Sequence, residues 1–219
     1  DVISNSYYGA NVSTTARSTD NPLNPSELNA ITDRIEDGVS LITFFGHASA
    51  TSSGFEINID EPINWNNYGK NPLVITNSCY NGNMFQSGKS KSETFVLTPK
   101  TGAIGYIGTV NLGFATTLYQ YSHELYRQIS LTNYGKPLGQ QIQSSIEALE
   151  YPGNNLILES TVTQMALNGD PMLHLNWHAK PEIEINDQSV SFSPDDINLT
   201  VDSIHVSVEL KNLGKSITD

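Results

Sequence analysis

Apolar and polar positions along the chain group into short unbroken apolar runs, longer stretches with helical spacing, and a period-two alternation near the carboxyl end. The runs Leu41-Ile42-Thr43-Phe44-Phe45 and Leu73-Val74-Ile75-Thr76-Asn77-Ser78-Cys79 read as buried strands set among turn residues. Ala103 to Val110 predicts a third strand, with Gly102, Gly105 and Gly108 at three-residue spacing. Inside a strand pattern such glycines mark close backbone packing, and no lysine follows them to make a phosphate loop.

Helical spacing appears in four places. Residues 25–37 are entered through Asn24-Pro25, with Glu27 placed to close a capping box on Asn24 and Gly38 just past the end. Core-facing stripes then run through 115–130 (Leu118, Tyr121, Leu125, Ile129), 138–150 (Leu138, Ile142, Ile146, Leu149) and 155–168 (Leu158, Val162, Met165, Ala166). Leu173 to Trp177 predicts the last strand. The Ser- and Asn-rich stretch 48–71, broken by Pro62, predicts a loop over a site rather than core. Alternating strands and helices imply an α/β fold with a mostly parallel sheet. His123 and Glu124 read as ordinary polar positions of a helix, and His174 as a core or sheet-edge histidine.

From Lys180 the period changes to two. Pro181-Glu182-Ile183-Glu184-Ile185 and Ile204-His205-Val206-Ser207-Val208-Glu209-Leu210 alternate, separated by Ser193-Pro194-Asp195-Asp196. We expect residues 1–179 to form the α/β unit and 180–219 the first strands of an immunoglobulin-like β domain. That domain is incomplete here, because such a sandwich needs roughly 100 residues.

Composition narrows the partners. The chain of 219 residues is 37% hydrophobic and 16% charged, enough to bury a core beneath an uncharged polar surface. Its formal net charge of −12 opposes binding to nucleic acid or anionic lipid and would attract a basic peptide. No run is long enough to span a bilayer. The histidines at 47, 123, 174, 178 and 205 form no zinc motif, and the acidic loop Glu56 to Glu61 offers oxygen ligands only for a structural calcium ion.

The chemistry gathers at the ends of the first two runs. The first run ends in Gly46-His47 and the second ends at Cys79, the single cysteine of the chain. Ligands collect outside the carboxyl edge of open α/β sheets, and two strands delivering an imidazole and a thiol there suggest a Cys/His peptidase. A free thiol is only a few per cent ionised at neutral pH, so a neighbouring base must take its proton; His47 is that base. The oxyanion of acyl transfer needs donors, for which we assign the backbone N–H groups of Cys79 and Ala48.

The blocks Leu41 to Ser49 and Val74 to Phe85 resemble the histidine and cysteine blocks of gingipain-type cysteine peptidases, relatives of caspases and legumains. The spacing of 32 residues between His47 and Cys79 suits that family, as do Trp65 and the turn Leu167-Asn168-Gly169-Asp170-Pro171-Met172-Leu173. The resemblance implies a caspase-like three-layer sandwich and makes His47 the general base and acid and Cys79 the nucleophile of a thioester mechanism. It also implies polypeptide substrates, no required cofactor, and export to a bacterial surface. Ala48 stands where the family has glycine. The family's acidic partner for the histidine lies upstream of these blocks, a region we expect to be missing or diverged. Leu210 to Lys215 resembles a turn of bacterial immunoglobulin-like adhesion modules.

Three functions fit these residues: an endopeptidase, a transpeptidase that resolves the acyl-enzyme with an amine to attach secreted cargo, and a non-catalytic surface module.

Overall fold

A computed structural model describes residues 2–4, 8–16, 24–51, 61–149, 155–175, 180–194, 196, 201–212 and 214–215. Helix α1 (Pro25–Asp37) leads to strand β1 (Leu41–Phe45), and β2 (Leu73–Asn77) follows after a long connection. Next come α2 (Lys91–Leu97), β3 (Gly105–Thr109), α3 (Ala115–Arg127), α4 (Leu138–Leu149), α5 (Leu156–Gln164) and β4 (Met165–Gly169). A single wide helical turn, Gln128–Thr132, extends α3. These strands form one sheet in the order β1-β2-β3-β4, parallel except for β4, which runs antiparallel to β3.

Side chains of neighbouring strand residues point to opposite faces, and here both faces are covered. Leu73, Ile75 and Ile107 pack on Leu118, Tyr121, Leu125, Leu138, Leu158 and Val162 from α3, α4 and α5. Val74 and Tyr106 face the other way, onto Ile35 of α1, Phe95 of α2 and Trp65. The result is helices, sheet and helices in three layers, with β2 and β3 buried along their whole length. Each such aliphatic side chain contributes about 1.5–3 kcal/mol by leaving water.

Local signals hold where they were strongest. Asn24 accepts from the Glu27 N–H at 3.0 Å, and the Asn24 N–H donates to the Glu27 carboxylate at 2.8 Å. The glycines of β3 serve packing: a Cβ on Gly108 would lie 2.6 Å from Thr76 Oγ1.

Three expectations are corrected. The helix expected over 155–168 ends at Gln164, and 165–169 is strand β4, pairing Met165 with Thr109 and Gly169 with Gly105. So short an apolar stretch satisfies both periods, and the open hydrogen-bonding edge of β3 decides between them. Residues 173–175 form no strand, while 176 and 177 lie outside the described residues. Instead the carbonyls of Leu173 and Pro171 accept from the first amides of α4, Leu138 at 2.7 Å and Gly139 at 2.8 Å, which a helix start leaves without partners. Finally, the stretch 48–71 is core in its later half. Trp65 and Asn67 are buried, Trp65 edge-on to Phe95 and Asn67 Nδ2 donating to the Gly102 carbonyl at 2.9 Å. Residues 52–60 lie outside the described residues.

Beyond the α/β unit, β5 (Ile183–Glu184) pairs with β8 (Lys211–Asn212), and β6 (Val190–Ser193) with β7 (His205–Val208). Both ladders are antiparallel and largely exposed. Among the described residues no helix is long and apolar enough to cross a membrane.

Candidate active site

Strands β1 and β2 pair in register up to Phe45 opposite Asn77, and the Gly46 N–H then donates to the Asn77 carbonyl at 3.1 Å. His47 and Cys79 each follow two residues after that last pair. The two predicted catalytic residues therefore leave neighbouring parallel strands at matching positions on the carboxyl edge of the sheet. His47 is exposed, and Ala48 and Cys79 are half-buried. Among the described residues no hydrogen bond joins the His47 ring to the Cys79 sulfur. The sulfur instead meets the backbone of Gly113, whose N–H donates to Sγ at 3.4 Å and whose carbonyl accepts from the thiol at 3.7 Å.

The chain turns sharply just past the cysteine. Tyr80 has φ 59°, a left-handed conformation that a bulky residue adopts only when its surroundings impose it. They do so here: the Tyr80 N–H donates to the Asn111 carbonyl and the Gly82 N–H to the Thr109 carbonyl, both at 2.8 Å. Gly82 passes so close to β3 that a Cβ on it would sit 2.3 Å from the Gly108 carbonyl oxygen. This turn ends the sheet ladder. Past the end of the β1–β2 ladder, the backbone N–H groups of Cys79 and Ala48 have no acceptor among the described residues.

Polar contacts tie these strand ends to their surroundings. Ser122 of α3 donates to the Asn77 side chain of β2, and Tyr126 bonds Thr43 of β1, so α3 is fastened across both strands. Burial raises the Tyr126 hydroxyl above its ordinary value, outweighing its hydrogen bond with Thr43. Buried Asn81 donates from Nδ2 to the Ser49 carbonyl at 2.9 Å and accepts from the Tyr106 hydroxyl. Nothing in the local sequence singles out Asn81, Tyr106 or Gly113, because a side chain's distant partners leave no local pattern. Phe45, Leu112 and Phe114, from the ends and following loops of β1 and β3, are each about half exposed.

Other sequence candidates lie apart from this edge. His123 stacks near Tyr119 on the outside of α3, with ring centroids 5.9 Å apart, and His174 Nδ1 lies 2.9 Å from the Gly135 carbonyl. Among the described residues no three His, Cys, Asp or Glu side chains gather as a metal site. Of the acidic loop considered for calcium, 56–60 lie outside the described residues, and Glu61 sits 3.9 Å from Lys91 Nζ.

Known structures share this fold. The chain aligns with two structures of RgpB at 17% identity and a TM-score of 0.57: the complex of the Porphyromonas gingivalis pro- and mature domains, and the Arg-specific cysteine proteinase gingipain R. Each alignment covers 72% of this chain, and 40% and 39% respectively of those chains. A third structure, described as a protease, aligns at 13% identity and a TM-score of 0.55 over 72% of this chain and 42% of that one. The likeness is one of fold, and the chain spans about two fifths of the length of these relatives. No curated protein matches. The sequence profile of Peptidase family C25 matches residues 2–176, a span that takes in β1 to β4 and both strand ends, and the chain belongs to that family.

Proposed function

We propose that this chain carries the nucleophile and the general base of a cysteine peptidase acting on polypeptides. The observation that supports it most is the pairing of β1 with β2, which brings His47 and Cys79 off adjacent strands in step, beside two backbone N–H groups without acceptors among the described residues. In this reading His47 takes the Cys79 proton and the thiolate attacks the scissile carbonyl carbon. The amides of Cys79 and Ala48 hold the oxyanion. The imidazolium then protonates the leaving amine as the C–N bond breaks, leaving a thioester. Water, deprotonated by His47, releases the acid and restores the thiol. The exposed Phe45, Leu112 and Phe114 flank this edge and supply apolar contact for substrate side chains.

No cofactor takes part. The net charge favours basic substrate segments. Export to a bacterial surface, and an immunoglobulin-like module beginning at residue 180, complete the reading. Two variants test it. Cys79→Ala and His47→Ala should each lower peptide hydrolysis by at least about 10³-fold while thermal unfolding stays unchanged. A folded protein whose Cys79 resists a thiol-directed peptidyl probe at neutral pH would instead support a non-catalytic surface module.

A further inference from the structure

We propose that Asn81 is a positioning residue, a cross-brace that holds the loop after His47 against the loop after Cys79, with the Tyr106 hydroxyl completing the brace; this rests on the Cys79/His47 reading above. Asn81 lies two residues past Cys79, and the carbonyl it reaches, Ser49, lies two residues past His47 and next to Ala48. The bond therefore spans the active-site edge at the same offset from both reacting groups, at 2.9 Å from Nδ2 to oxygen.

Chemistry orients the amide. The Ser49 carbonyl can only accept, so Nδ2 must face it, which leaves Oδ1 for the donor on Tyr106. Tyr106 is itself immobilised. It is wholly buried in β3, and its ring lies 5.4 Å from Phe95 at 66°. The position of the His47 loop is thus referred through Asn81 to the centre of the sheet. A weaker backbone tie from the Lys91 N–H to the Ala50 carbonyl, at 3.3 Å, holds the far side of the same loop. A misplacement of about 1 Å between base and nucleophile costs on the order of 10²-fold in rate, so a brace worth little in stability can matter greatly in turnover.

The experiment measures the rate of Cys79 alkylation by iodoacetamide against pH in the full chain. It compares wild type, Asn81→Asp, Tyr106→Phe, His47→Ala and the Asn81→Asp/His47→Ala double variant, with peptide hydrolysis and thermal unfolding followed alongside. Asn81→Asp keeps the shape but turns a carboxylate oxygen toward the Ser49 carbonyl. The alkylation profile of Asn81→Asp should collapse onto that of His47→Ala, with no further change in the double variant. Its kcat should fall about 10²-fold with KM little changed. Tyr106→Phe, which keeps the ring packing, should shift in the same direction by less, and it decides the matter where Asn81→Asp unfolds. A wild-type profile in either single variant, or effects of Asn81→Asp and His47→Ala that multiply in the double variant, overturns the brace and leaves the peptidase reading standing. A wild-type profile already identical to that of His47→Ala overturns both.

Discussion

Strands β2 and β3 are buried along all five of their residues, whereas β7, with the cleaner alternation of apolar and polar side chains, is exposed along all four. Within the β6–β7 ladder, Val190 lies opposite Val208 and Phe192 opposite Val206, so these four share one face. Among the described residues nothing buries that face, and Phe192, Val206 and Val208 each keep about half their surface in water. Period-two patterning marks a face that a second layer can bury; whether it stabilises the chain depends on the layer. The sheet of the α/β unit has helices on both sides, and its carboxyl edge is correspondingly rigid enough to present chemistry.

Mutations can break or sharpen this contrast. Ile75→Ala, in the centre of β2, should lower unfolding free energy by about 2–5 kcal/mol, against less than about 0.5 kcal/mol for Val206→Ala, both read by denaturant unfolding. Equal costs would mean that the β6–β7 face is covered in solution. Gly82→Ala should cost about 1–3 kcal/mol, because the added methyl meets backbone rather than a yielding side chain. The same variant should alter Cys79 alkylation, since the turn after the cysteine must move to admit the methyl.

The smallest effect concerns α3. Burial pushes the Glu124 carboxyl up, but hydrogen bonds from Arg127 and Gln128 outweigh it and hold the group below its ordinary 4.5. A folded value below the unfolded one adds stability that is fully present above the ordinary carboxylate range and is lost as pH falls through the folded value. The stability difference between wild type and Glu124→Gln, at most about 1 kcal/mol at pH 7, should therefore shrink toward zero below about pH 4.5. A difference that persists at pH 3 would assign the stabilisation to packing instead.

Much of the α/β unit is legible in the amino-acid order, for reasons that stay local. The Asn24/Glu27 box and the glycine at 38 mark α1, and unbroken apolar runs mark β1 and β2. Helix α2 escaped notice although Ser90 and Glu93 form the same kind of box, because its seven residues are too few to display a stripe. Trp65 sits in a polar, Pro-broken stretch that reads as surface, yet its indole closes the stack onto Phe95. At the site, Cys79 and His47 stand out because each ends an apolar run. Asn81 does not, since its partners Ser49 and Tyr106 lie 32 and 25 residues away.

By itself the sequence determined which segments could be strands or helices, where α1 begins, and that an imidazole and a thiol end two apolar runs. These are properties of side chains within a few residues of one another, where spacing and capping act. Only the tertiary structure decided that β4 closes the free edge of β3, that the later part of the 48–71 stretch enters the core, and that Asn81 joins the loop after His47 to the loop after Cys79. Each of those outcomes depends on backbone and side-chain groups far apart in the chain satisfying one another once the sheet has assembled.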